Sequence, residues 1–108
     1  MDQIKSIALY NKGAYVARIE VKWQHPTTGQ KGTYANGHDI CATEERTAIL
    51  TEANIPEGAH VYLHVDVVAG RDMDADEVFE FSANSNKTAK YRCTGTTLFD
   101  HLYYDGLV

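Results

Sequence analysis

From Ala14 to Trp23 the odd positions carry Tyr15, Ala17, Ile19, Val21 and Trp23, while Arg18, Glu20 and Lys22 fall between them. Alternation with period two is the pattern of a strand that buries one face and wets the other. Val61, Leu63, Val65 and Val67 repeat it, with His60, Tyr62, His64 and Asp66 on the opposite face. Shorter runs predict further strands at Ser6–Tyr10, Lys31–Ala35, Arg46–Thr51, Glu77–Phe81, Ala89–Thr94 and Thr97–Tyr104. Turn chemistry separates them: Asn11-Lys12-Gly13, His25-Pro26-Thr27-Thr28-Gly29, Asn36-Gly37, Pro56-Glu57-Gly58 and Asn84-Ser85-Asn86. The one stretch with a helical flavour, Thr43 to Leu50, has Arg46 where a capping box needs Glu, so it too reads as strand. Roughly seven to eight strands at this spacing predict an all-β fold, an antiparallel two-sheet β-sandwich of immunoglobulin-like appearance.

The 108 residues are expected to form a single domain spanning 1–108, large enough to bury about two thirds of the surface that the unfolded chain exposes. With 44% hydrophobic and 23% charged residues and no low-complexity tract, the composition is that of an ordinary globular protein. Fifteen acidic against ten basic residues, a formal charge of −5, disfavour nucleic acid and anionic lipid, both of which demand a basic footprint. A zwitterionic, sterol-rich surface remains compatible. No apolar run approaches the roughly 20 residues of a membrane span, and the first residues do not read as a signal peptide, so a cytoplasmic or non-classically released protein is expected. Cys41 and Cys93 could pair in an oxidising compartment, but a core of this size needs no staple, and two small buried hydrophobes with inert thiols is the better reading.

Two runs carry the most specific information. Ser6 to Trp23 contains Gly13-Ala14-Tyr15-Val16-Ala17, and Cys93 to Leu98 ends in Gly95-Thr96-Thr97-Leu98. Together they resemble the opening and closing motifs of the C-terminal membrane-recognition β-sandwich of the thiol-activated, cholesterol-dependent cytolysins. The middle of the chain, from Thr47 through Ile55-Pro56 to Val67, is similar to that domain in rhythm. The resemblance implies a non-enzymatic binding module and assigns lipid or sterol recognition to Thr97 and Leu98, a Thr-Leu pair at a loop tip, with Arg71 and Met73 as further loop contacts. The chemistry is reasonable: a leucine in the acyl boundary gains about 2 kcal/mol, and a neighbouring hydroxyl can bond a sterol hydroxyl or a headgroup.

The chain departs from that family after Val67. Where a tryptophan-rich loop with a single cysteine belongs, it reads Val68-Ala69-Gly70-Arg71-Asp72-Met73-Asp74-Ala75-Asp76-Glu77, without Trp or Cys. Pushing any of its carboxylates into a bilayer costs several kcal/mol. The toxin's pore-building domains have no counterpart either, so pore formation is not expected of this chain alone. Asp72, Asp74 and Asp76 at alternate positions could offer oxygens to calcium, although Glu77 and Ala83 stand where an EF-hand loop requires Gly and Glu. His60 and His64 share a strand face but lie about 13 Å apart, too far for one ion. No GxSxG, HExxH or phosphate-cradling motif is present, so no enzyme is expected. The aromatic run from Phe99 to Tyr104 reads as last strand and core edge. The alternative to a membrane or sterol module is a stand-alone sandwich that binds a protein or glycan, or is structural, without membrane activity.

Overall fold

Strands β3 (Ala17–Gln24) and β6 (His60–Val67) pair antiparallel along their whole lengths, Ala17 against Val67 and Gln24 against His60, in the computed structural model, which describes residues 1–108. This pair is the centre of the first sheet. Strand β4 (Lys31–Ala35) flanks β3, while β8 (Phe79–Phe81) and then β1 (Gln3–Ile4) extend the sheet beyond β6, and the two-residue β7 (Met73–Asp74) folds back on β6. The second sheet runs β10 (Asp100–Leu107), β9 (Thr88–Gly95), β2 (Ser6–Asn11) and β5 (Glu45–Ile49).

The two-sheet β-sandwich that alternation predicts is therefore what forms, and eight of its strands have three or more residues. Both sheets are mixed rather than purely antiparallel, because β2 lies parallel to β9 and β1 parallel to β8. Period-two alternation fixes which face of a strand is buried but says nothing about its neighbour's direction. Here the first long strand is inserted beside one of the last. The core contains Ile19, Val21, Leu63 and Val65 from the first sheet and Ile7, Leu9, Ala48, Ala89 and Tyr91 from the second, all buried. Leu102 and Tyr104 of β10 pack on its edge, with the Tyr104 ring 5.2 Å from Tyr91 and 5.8 Å from Phe79, as expected of an aromatic last strand.

Several strand boundaries differ from the sequence expectation. β3 begins at Ala17 rather than Ala14, because Asn11 Nδ2 donates to the Tyr15 carbonyl (2.7 Å) and turns residues 12–16 into a loop. β10 begins at Asp100 rather than Thr97, since Thr96 and Phe99 exchange backbone hydrogen bonds at 3.2 Å and close a hairpin tip with Thr97 and Leu98 between them. β8 is shorter than predicted and starts only at Phe79. The segment read as strand rather than helix at Arg46–Thr51 is β5, followed by one turn of 3₁₀ helix at Leu50–Glu52.

Strands β2, β6 and β9 finish at the same end of the sandwich at which β3 and β10 start. The first and last residues of the chain lie at the opposite end, where Val108 and Thr88 exchange backbone hydrogen bonds.

Candidate functional site

Three loops meet at that end, and backbone hydrogen bonds weld them together. The β2–β3 loop is fixed by Ala14 N donating to Gly95 O (2.9 Å), Lys12 N to Cys93 O (2.8 Å) and the Tyr15 hydroxyl to Thr94 O (2.8 Å). Val68 N donates to Val16 O at 3.0 Å, joining the β6–β7 loop to it, and Arg71 N donates to Thr97 O at 2.8 Å, joining the β6–β7 loop to the hairpin tip. Such close approach requires glycine: a Cβ on Gly70 would lie 2.6 Å from Thr97 O, and one on Gly95, where φ is +93°, 2.1 Å from Phe99 O.

Beneath the loops lies a small polar latch. Asn11 is fully buried, and its side chain donates to Tyr15 O and Ile40 O (2.7 and 2.8 Å) and accepts from Gly13 N (2.8 Å). The Tyr15 ring stands so close over Gly13 that a Cβ there would come within 2.3 Å of it. The Gly13–Ala17 motif is thus explained by packing, which holds the β2–β3 loop against β9. Burial pushes both the Tyr15 hydroxyl and the Cys93 thiol up from their ordinary ranges.

On the outside of this platform sits the hairpin tip. Leu98 is 67% exposed and Phe99 75% exposed, with Val68 also exposed on the adjoining loop. Thr97 is half-buried against Gly70. The Thr-Leu pair singled out in the sequence therefore does occupy a loop tip, and Phe99, read there as the start of the last strand, belongs to the tip as well. Its membership follows from hairpin register, which the residue order alone does not reveal.

Arg71 and Met73, expected as loop contacts, separate. Arg71 reaches the tip's base: its Nε and Nη2 lie 3.1 Å from Asp100 Oδ1, whose side chain is wholly buried, and Nη2 also donates to Asp100 O at 3.2 Å. Met73 turns back into β7 and packs on the core. Asp72 and Asp74 follow it. Asp72 accepts from Val67 N (2.9 Å) and lies 3.2 Å from His64 Nε2, while Asp74 lies 2.6 Å from His64 Nδ1. With β7 folded onto β6 in the register His64 to Asp74, the Asp74 carboxylate stands about 10 Å back from the loop end, at about 3.3 Å per strand residue.

That arrangement changes the expectations placed on this segment. Asp72 and Asp74 meet on His64, with no contact from Asp76, and no group of three or more His, Cys, Asp or Glu side chains is arranged as a metal site. The acidic side chains clamp His64 instead. Cys41, expected to be buried, is exposed, whereas Cys93 is buried; both are free thiols. The Glu44 carboxylate beside Cys41 pushes its thiol up, opposite to what a nucleophilic cysteine requires. No helix is long and apolar enough to cross a membrane.

No protein-family profile and no curated protein matches the chain. Among solved structures it is similar to listeriolysin O, at 16% identity and a TM-score of 0.55 over 93% of this chain and 22% of that one. It is likewise similar to a structure described as a trapped toxin, at 17% identity and a TM-score of 0.50 over 93% of this chain and 23% of the other. The membrane-binding domain of pneumolysin aligns over 94% of this chain and 95% of its own, at 16% identity and a TM-score of 0.47. The chain spans less than a quarter of the length of the two longer proteins. At these identities the likeness is one of fold, and it is the cytolysin fold that the Gly13–Ala17 and Gly95–Leu98 runs resemble.

Proposed function

We propose that the chain is a membrane-surface binding module that docks through its three-loop end, with Leu98 and Phe99 entering the lipid and Thr97 available to bond a sterol hydroxyl or a headgroup. The observation that carries this reading is the exposed Leu98-Phe99 tip, held on a rigid platform instead of a free loop. The toxin-like fold and the sequence resemblance support it. So does the placement of Asp74, whose carboxylate stands back along β6 at His64 and is spared the desolvation that a tryptophan-free loop otherwise threatens, while Asp72 stays at the end of β6 on the Val67 amide.

The energetics set the strength of binding. Full burial of a Leu or Phe side chain is worth about 1.5–3 kcal/mol, so at their exposures the two tip residues together supply about 2–4 kcal/mol. One copy therefore binds weakly, and sterol dependence would come from Thr97 rather than from area. The test is co-sedimentation with zwitterionic vesicles made with and without cholesterol, in calcium and in chelator. Binding that falls between about 30- and 1,000-fold in Leu98→Ser/Phe99→Ser is expected. Equal sedimentation of the folded variant and the parent chain would sink the reading and favour the protein- or glycan-binding alternative. A strict calcium requirement would return Asp72, Asp74 and Asp76 to the site.

A further inference from the structure

The first sheet ends at β4, and no further strand of the chain closes that edge. His25 N donates to Gln30 O at 2.7 Å and Asn36 N to Ile19 O at 3.0 Å, which fixes the phase of the β3–β4 ladder. In an antiparallel pair only alternate positions exchange hydrogen bonds, so Gly32 and Tyr34 bond to β3, while the N–H and C=O groups of Lys31, Thr33 and Ala35 point away from it. None of these groups finds a backbone partner elsewhere in the fold.

The other edges of the two sheets carry defences that β4 lacks. β1 is two residues long, β10 is interrupted by a bulge between Tyr104 and Gly106, and β5 places Arg46 in the core-facing row beside Leu9, a charge that an added strand would bury. In β4 the core-facing residues are Gly32 and Tyr34, beside Trp23 and Val21 of β3, and the outward ones are Lys31, Thr33 and Ala35. Tyr34 and Trp23 are only partly buried at the margin of the core.

This edge is complementary to itself. An antiparallel pair of β4 strands centred on Thr33 sets Thr33 opposite Thr33 and Lys31 opposite Ala35, and each facing pair exchanges two hydrogen bonds between groups that are free in the single chain. On the core side the large Tyr34 falls opposite Gly32, which has no side chain, at the closer of the two antiparallel spacings, and there it extends the half-covered row of Trp23 and Tyr34. On the outer side the row from Lys31 of one copy passes through Ala35 to Glu20 of the other, about 10 Å between backbones, and neither charge is engaged in an ion pair within the chain. The two Lys22 residues that flank the Thr33 pair stand about 14 Å apart, beyond the screening length of about 8 Å. An unrelated extended peptide could use the backbone groups alone, whereas the matching of Tyr34 with Gly32 and of Lys31 with Glu20 singles out a second copy of this chain.

We infer that β4 is a homodimer interface, at which two copies join their first sheets into one continuous sheet about a two-fold axis at Thr33. The surface is separate from the three-loop end and does not rest on the docking proposed for it. Antiparallel pairing directs the two hairpin tips to opposite poles, so one dimer presents a single tip to any one membrane.

A strand pair of this length is a small interface, so the mass of the full chain is followed by sedimentation equilibrium from about 10 μM to about 1 mM, with backbone amide shifts recorded over the same range. The weight-average mass should rise toward that of two chains. The Lys31, Thr33 and Ala35 amides should shift with concentration and gain at least about tenfold protection from hydrogen exchange. Thr33→Pro removes an N–H that β3 does not use, and Thr33→Lys keeps the backbone intact but sets two ammonium groups face to face across the axis. Both variants should stay monomeric over the whole range while keeping the circular dichroism of the parent chain. A parent chain still monomeric at about 1 mM, a dimer that persists in folded Thr33→Lys, or shifts centred on Glu45, Thr47 and Ile49 of β5 or on Leu98 and Phe99 of the tip would each overturn the inference.

Discussion

Replacing Asn11 by alanine removes the hub on which the three loops rest. The side chain is fully buried and satisfies three backbone groups at 2.7–2.8 Å: the carbonyls of Tyr15 and Ile40 and the amide of Gly13. In Asn11→Ala the Tyr15 carbonyl and the Gly13 amide lose their partner, while the Ile40 carbonyl keeps the Ala17 amide at 3.0 Å. A buried polar group left without one costs about 1–3 kcal/mol, so the two together cost about 2–6 kcal/mol before relaxation, and water entering the space left behind offsets part of it. The expected loss is at least about 2 kcal/mol, a large fraction of the 5–15 kcal/mol by which domains of this size are stable. Asn11→Asp keeps the acceptor for Gly13 N–H but offers no donor to the two carbonyls and brings a charge into the core, so it should be no better tolerated. Equilibrium unfolding in urea measures both. A loss under about 1 kcal/mol in Asn11→Ala would refute the argument, because it would mean that the loops hold their conformation without the latch.

Gly70→Ala places a methyl group 2.6 Å from Thr97 O, so it should break the Arg71 N to Thr97 O bond, cost about 1–2 kcal/mol in urea unfolding and weaken vesicle binding without touching Leu98 or Phe99. Unchanged stability and binding would show that the two loops do not act as one surface. Arg71→Ala leaves the buried Asp100 carboxylate without its cation, and a loss of about 1–3 kcal/mol is expected, recovered at least in part by adding Asp100→Asn; no recovery would show that the ion pair is not the cause. Burial raises the Tyr15 and Tyr91 hydroxyls, so both stay neutral in the folded state after they would ionise in the unfolded one. Their contribution is complete below the unfolded value near 10, and stability should fall above it by about 1.4 kcal/mol per pH unit for each tyrosine, a slope that Tyr15→Phe makes shallower. Stability that stayed flat from pH 9 to 11 would contradict this.

The sandwich was legible because its longest strands alternate cleanly: β3 and β6 need no partner to reveal which face is buried. The tip was legible in part. Gly95 has no room for a side chain and the Thr97-Leu98 pair follows it after Thr96, yet Phe99 reads as part of the aromatic run of β10, since only the Thr96–Phe99 pairing shows where that strand starts. Asn11 looked like an ordinary turn residue. Its burial depends on Ile40 and Cys93, 29 and 82 positions away, and local sequence does not encode contacts of that range.

The acidic segment shows most clearly why a row of residues is not yet a surface. Read as a string, Asp72, Asp74 and Asp76 occupy the place of a membrane wedge and argue against any approach to lipid. In the fold, β7 reverses the chain onto β6, His64 takes up two of the three carboxylates, and Arg71 alone among the charged residues of that loop turns to the base of the tip, where it neutralises Asp100. What the loop presents at the end of the sandwich is Val68, Ala69 and the Gly70 backbone beneath Thr97. The electrostatic objection is therefore drawn away from the proposed docking end at Asp74, while Asp72 remains beside it on the Val67 amide. Disrupting the clamp should strengthen the objection: in His64→Ala Asp74 loses its side-chain partner and Asp72 keeps only the Val67 amide, and vesicle binding should weaken although no tip residue has changed.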